Sequence, residues 1–318
     1  MFWNSAENTQ QKIQISKCFN ERYLVTQTSE IIMSSLVVKT VTEFRWDVRV
    51  LKITDEGYQI ELLSLDNVLK ESNNPNMRDL NAFNNAFKRM YSELNMLIGK
   101  DGELIEVKNI SEIQRKWAQV KSEMEAIQTK HDNMKGIIAL NDELFNNPDN
   151  IKAAVKGNEF FEVFFNAWLG LNLPGGRNIS KKSLFAQESI NWSYAVNAEK
   201  PLPAEGGKAN ISIVGHTTQN FDKTWIKNAY GSFPITEIAG RKPEVKDEAS
   251  YEIDYANGRV LNGLVTKEEI VHPEFLKAKM VYQIMADNQE VEQEPEPVKH
   301  TEKVPEQMHK KGRFSLLD

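Results

Sequence analysis

Histidine changes charge closest to neutral pH, so acid–base chemistry in this chain would centre on one of its five histidines. His216 has the best setting for it. In Val214-Gly215-His216-Thr217-Thr218 a glycine allows close approach, and Asp222 follows as a candidate partner for a general base. A hydrolase centred on His216 is therefore one functional class to carry forward, ranked last. His131 falls on an apolar helical stripe, His272 precedes a proline, and His300 and His309 lie in a charged terminal segment. No residue is assigned a catalytic role.

Metal and phosphate chemistry has less support. No His-Glu-x-x-His, Cys-x-x-Cys or calcium-loop spacing occurs. Gly206-Gly207-Lys208-Ala209 imitates the end of a phosphate loop, but Leu202 stands where its first glycine belongs and Ala209 where magnesium needs a hydroxyl. Gly175-Gly176-Arg177 lacks the third glycine of a dinucleotide site, and no Gly-x-Ser-x-Gly elbow is present. Glu188, Asp254 and Glu268 read as a solvated face. Neither a cofactor nor a metal is expected.

Binding chemistry is better represented. Phe314, Leu316 and Leu317 end the chain behind Lys310, Lys311 and Arg313, the pattern of a docking peptide whose apolar side chains enter a partner's groove while its cations meet an acidic rim. Farther back, Phe44 and Trp46 alternate with charged residues, and with Trp192 they form a possible face for an apolar ligand. The same alternation marks Trp46 as a core anchor.

These residues need elements to hold them. Phe44, Trp46, Val48 and Val50 alternate with Glu43, Arg45, Asp47 and Arg49, which is a half-buried strand. A β-branched strand precedes it from Tyr23, and Thr54-Asp55-Glu56-Gly57 turns the chain into a return strand through Tyr58, Ile60 and Leu62. After Asn74-Pro75-Asn76 the apolar spacing changes to three and four, so Leu80, Phe83, Phe87, Met90, Tyr91, Leu94 and Leu97 predict one helix face. Gly99-Lys100-Asp101-Gly102 predicts a hairpin turn, and Asn109 with Glu112 a helix N-terminal capping pair. Ile113, Trp117, Val120, Met124 and His131 continue along a long amphipathic helix whose stripe reads as core rather than a coiled-coil seam. Shorter helices follow at 137–145 and 148–155, and then the aromatic run from Phe160 to Leu169. Strands return at 184–196, 209–218, 249–255, 260–266 and 275–284.

The fold class expected is α+β, with largely antiparallel curved sheet and a helical middle. Its body spans 1–287, β-rich over 19–72, mainly helical over 77–170 and β-rich over 180–287; residues 288–318, rich in Glu and Pro, have the composition of a disordered tail. Thirty-nine basic against forty-five acidic residues give a net charge of -6, which argues against nucleic-acid binding. With 40% hydrophobic residues, a single cysteine (Cys18), no eighteen-residue apolar run and no leader pattern, a cytoplasmic protein without a membrane span is expected.

The stretch from Leu94 to Val107, with its Gly99-to-Gly102 turn and the helix after it, together with Asn257-Gly258-Arg259-Val260, resembles poorly characterised β-rich proteins of Bacteroidota. The resemblance covers about half the chain and consists of turn and strand pattern. Such proteins usually carry export leaders, a pattern not expected here from the polar start of the sequence. The leading expectation is a non-enzymatic binding or assembly protein, in its most specific form an adaptor or chaperone of a bacterial secretion or injection apparatus, taking another protein through the C-terminal tail. A carrier of an apolar ligand on a concave sheet face is the alternative.

Overall fold

The computed structural model describes residues 11–127, 134–165, 168–185, 188–198 and 207–287. The expected tail residues Lys310, Lys311, Arg313, Phe314, Leu316 and Leu317, and also His131, lie outside the described residues.

Sheet dominates, with 50% strand against 26% helix, so the antiparallel expectation holds but the balance is more sheet-rich than a typical α+β fold. The strands are β1 (Gln11–Lys12), β2 (Asn20–Met33), β3 (Leu36–Ile53), β4 (Gly57–Ser72), β5 (Glu93–Gly99), β6 (Leu104–Val107), β7 (Asn172–Leu173), β8 (Gly175–Lys182), β9 (Ser189–Ala198), β10 (Lys208–Thr217), β11 (Glu244–Asp254), β12 (Arg259–His272) and β13 (Leu276–Ala286). Eleven of them form one antiparallel sheet in the order β6-β5-β4-β3-β2-β13-β12-β11-β10-β9-β8, and β1 pairs with β7 beside it. The N-terminal and C-terminal β regions are thus one sheet, joined where Tyr23 to Met33 of β2 pairs with Leu276 to Ala286 of β13.

On β3 the alternation works as its side-chain types require. Phe44, Trp46, Val48 and Val50 are buried, while the opposite face carries cross-strand ion pairs, Lys70 with Glu43 at 2.8 Å, Arg45 with Asp66 at 3.4 Å and Arg49 with Glu61 at 2.9 Å. Helices α1 (Met77–Lys88), α2 (Ile110–Ile127), α3 (Met134–Phe145) and α4 (Pro148–Lys156) fall between β4 and β7, and α5 (Lys223–Tyr230) between β10 and β11. Ile113, Trp117, Val120 and Met124 of α2 are buried in the common core, as the core reading of that stripe required.

What fills the sheet's inner face is the aromatic run. Phe160, a π-helical turn over Phe161–Phe165, and Trp168 and Leu169 enter between the two halves of the sheet. Phe160 meets the Trp46 edge at 5.4 Å, Phe164 meets Tyr23 at 5.1 Å, and the Tyr251 hydroxyl donates to the Val163 carbonyl at 2.6 Å. The sheet curls around this insert until one side chain reaches from edge to edge: Arg177 of β8 donates to the Asp101 carbonyl in the β5–β6 turn at 2.6 Å and to the Leu169 carbonyl at 3.0 Å. Gly170 (φ +77°) makes that closure possible, since a Cβ there would sit 2.2 Å from the Lys100 carbonyl oxygen.

Several local expectations are corrected. The helix expected to run to Leu97 stops at Lys88, with a 3₁₀ turn at Arg89–Tyr91, and Leu94 and Leu97 belong to β5. Asn109 does not cap its helix with its side chain; that amide accepts from Asn95 N–H at 2.9 Å and donates to the Glu93 carbonyl at 2.9 Å, tying β5 to the start of α2. The strand expected over 184–196 begins only at Ser189, as β9, while β8 lies wholly before that range and, like α5, was not anticipated. Among the described residues no helix is long and apolar enough to cross a membrane.

Candidate functional site

A cavity of about 560 Å³ lies against the inner face of β3 and β4, beneath the end of α1. Its size falls within the ~300–1,000 Å³ typical of small-molecule sites. Phe44 and Trp46, stacked at 6.2 Å, belong to its apolar wall together with Leu65 and Tyr91, and Glu159, just before the aromatic insert, closes one side. A bulge in the β3–β4 register between Arg45 and Trp46 places Asp66 outward with Arg45 and lets Ser64 and Asn67 share the inner face with Trp46 and Phe44. From α1 come Asn85 and Lys88, three apart and so on one helix face, followed by Arg89.

The polar groups of this cavity are incompletely paired. Among the described residues neither side-chain amide atom of Asn67 has a hydrogen-bond partner, nor does Asn85 Oδ1, although all three atoms are buried. Asn85 Nδ2 donates to the Asn67 carbonyl at 3.1 Å, which fixes the two residues against each other. Lys88 Nζ stands 4.9 Å from the Phe44 ring centroid, and among the described residues no carboxylate lies within ion-pair distance of it. Burial pushes the Tyr91 phenol up to about 12, so it stays a neutral donor.

Glu159 accepts from Gln27 Nε2 at 3.3 Å and lies 3.5 Å from the Tyr282 hydroxyl. Its carboxyl is raised above the ordinary 4.5 by loss of solvent, with Glu162 adding to the effect and Lys88, Gln27 and Lys267 opposing it. A raised folded-state pKa means that Glu159 costs nothing well below 4.5, where both states are protonated, and destabilises the fold as pH climbs through the folded-state value. Glu159→Gln, which keeps the acceptor oxygen, is expected to match the parent at low pH and exceed it in stability above that window. Denaturation midpoints measured across the pH range check this, and parallel profiles would refute it.

A second polar cluster crosses the inner face of β8 to β12. Lys181 pairs with Asp247 at 3.0 Å and stands over the Tyr194 ring, and the Tyr194 hydroxyl donates to the same Asp247 oxygen at 2.8 Å. Lys267 pairs with Glu162 of the aromatic insert. Glu269 accepts from Ser183 Oγ at 2.9 Å, Leu184 N–H at 2.7 Å and the Tyr230 hydroxyl at 2.7 Å. Apart from Asp247 Oδ1, a buried oxygen with no hydrogen-bond partner among the described residues, these groups are held by internal partners, and the cavity beside Lys181, Asp247, Lys267 and Glu269 measures only about 20 Å³.

Of the residues singled out from sequence, Phe44 and Trp46 meet at the cavity. Trp192 does not join them; it is buried on β9, stacked on Tyr194 at 6.0 Å, with five strands between its own and β3. His216 is exposed on β10, and Asp222 accepts the Trp225 N–H at 2.8 Å as the cap of α5, so the expected His216–Asp222 pairing is replaced by a helix cap. Asp254 holds the turn before β12 through Ala256 N–H and Asn257 Nδ2, and Glu268 pairs with Lys277 at 3.2 Å. Asn67, Asn85, Lys88, Tyr91 and Glu159 were missed. Only the spacing of Asn85 and Lys88 carried a signal, since polar residues on one face of an otherwise apolar-patterned helix can face a site as well as solvent.

No protein-family model and no curated protein matches the chain. Five chains of solved structures do. One comes from a structure of lipid–protein interactions in lipovitellin, with a TM-score of 0.43 and 7% sequence identity over 87% of this chain and 25% of that one. This chain therefore spans about a quarter of that chain's length.

Proposed function

We propose that the protein is a non-enzymatic carrier of an apolar ligand, held in the cavity between β3, β4, the end of α1 and Glu159. The observation that carries the reading is an aromatic-walled cavity bordered by Asn67 and Asn85, whose buried amide atoms lack partners among the described residues. Such atoms cost about 1–3 kcal/mol each where nothing satisfies them, so a bound ligand that did so would offset a real cost. The adaptor role expected from the tail rests on residues outside those described, and the cavity takes precedence over it here.

The test is titration of the folded protein with the neutral probe N-phenyl-1-naphthylamine, followed by its fluorescence and by quenching of the tryptophans. Saturation at one probe per chain is expected. Asn67→Leu, similar in volume but without the amide, is expected to gain about 1–3 kcal/mol in the ligand-free state, because it removes an unsatisfied buried group. Absence of saturable binding, or a loss of stability in Asn67→Leu, would count against the carrier reading.

A further inference from the structure

We infer that the ligand of this cavity is an anionic amphiphile, with its apolar body against Phe44, Trp46 and Leu65 and its charged head at Lys88 and Arg89; the inference rests on the carrier reading above. The argument begins with charge. Among the described residues Lys88 is held above the Phe44 ring rather than in an ion pair, and Arg89 reaches a single carboxylate, Glu123, at 3.8 Å between two exposed side chains. The acidic groups that line the same cavity have other hydrogen-bond or ion-pair partners: Asp66 pairs with Arg45, and Glu159 accepts from Gln27 and lies beside the Tyr282 hydroxyl, with Lys88 acting on it only from beyond ion-pair distance. An anion arriving at the end of α1 therefore meets two cations, one beside an aromatic face and the other in a weak surface pair that water screens.

Hydrogen-bonding capacity narrows the class further. Asn67 Nδ2 is an unused donor, and Asn67 Oδ1 and Asn85 Oδ1 are unused acceptors. Asn85 is one helical turn before Lys88 and Arg89, and because these amide atoms are closed off from solvent, a ligand with an amide next to its anionic head meets them and the cations in one pose once the Asn67 and Asn85 side chains turn into the cavity. An aliphatic chain alone would leave them unpaired, and a cationic head would meet Lys88 and Arg89 as like charges. The class that answers every group is an acylated anion in which an amide joins chain to head.

The probe is N-lauroylglycine, used below its micellar concentration to displace N-phenyl-1-naphthylamine from the intact chain, beside dodecanol and dodecylammonium. N-lauroylglycine is expected to compete on the order of tenfold better than dodecanol, the equivalent of one charged hydrogen bond, and dodecylammonium worst. Lys88→Glu combined with Arg89→Glu is expected to abolish that preference while the neutral probe still binds, and Lys52→Glu on the far part of β3 is expected to retain it. Equal competition by acid and alcohol, or a preference that survives the double charge reversal, overturns the inference and leaves the carrier reading standing. Failure of the neutral probe to bind the parent protein removes the carrier reading itself. Capture on phosphatidylglycerol vesicles that N-lauroylglycine does not compete away would assign the cations to a membrane surface and also overturn it.

Discussion

Phe160→Ala is expected to lower the stability of the fold by about 3–5 kcal/mol, the range for truncating a buried large aromatic. Phe160 is fully buried and is the hub of the aromatic insert: it stacks on Phe164 at 5.0 Å and meets Trp46, Phe161 and Phe165 edge-on between 5.4 and 5.7 Å. Deleting the ring removes transfer energy and several oriented ring contacts together, and the curved sheet around it has limited freedom to collapse inward. Phe161→Ala is expected to cost clearly less, because that ring is only partly buried. Equilibrium denaturation of both variants gives the comparison. A loss below about 1 kcal/mol for Phe160→Ala would show that the insert does not sustain the sheet's curvature.

How far all this could be read from sequence depends on the range of the interactions. The β2-to-β4 meander was legible because Phe44, Trp46, Val48 and Val50 alternate with charges and because Thr54 to Gly57 is turn chemistry, both local signals. The join between β2 and β13 was not, since residues some 255 positions apart, such as Gln27 and Tyr282, leave no mark on each other's neighbours. Leu94 and Leu97 were misread because β5 is buried on both faces. Leu94, Met96, Leu97 and Ile98 are all buried, and a continuous apolar run satisfies the helical period as readily as the strand period. The cavity failed for a related reason. Its walls come from four separate stretches of the chain, represented by Trp46, Asn67, Lys88 and Glu159, and the decisive placement of Asn67 depends on a bulge in strand register that residue types do not announce. Charged residues were assigned to solvent by the alternation rule, which hides the opposite case. Asp247, Lys267 and Glu269 stand on inward positions, where they carry the polar cluster of the C-terminal half.

That cluster leads to the second large effect, Asp247→Ala, expected to cost about 3–5 kcal/mol as the breaking of a buried ion pair. Only 3% of the Asp247 side chain and 11% of that of Lys181 is exposed, so solvent cannot substitute for the lost carboxylate. Burial by itself would raise the Asp247 carboxyl, but the charges of Lys181 and Lys267 and the hydrogen bonds from Tyr194 and Lys181 outweigh it and hold the group below its ordinary 3.8. For Lys181 burial is the larger effect and lowers its pKa, with Asp247 opposing the shift. Because the folded-state carboxyl is depressed, the stabilisation it contributes is present in full above 3.8 and is lost as pH falls through the lower folded-state value. The parent should therefore lose stability at strongly acidic pH by a component that Asp247→Ala lacks. The pair Lys181→Met with Asp247→Leu separates attraction from the penalty of a stranded charge: two apolar side chains leave neither ion buried, and most of the stability lost in Asp247→Ala is expected to return. Recovery in that double variant would mean that the ion pair contributes little net stability and chiefly makes its own partners indispensable. A double variant as unstable as Asp247→Ala would instead assign the loss to the Tyr194 hydroxyl, whose acceptor both variants remove.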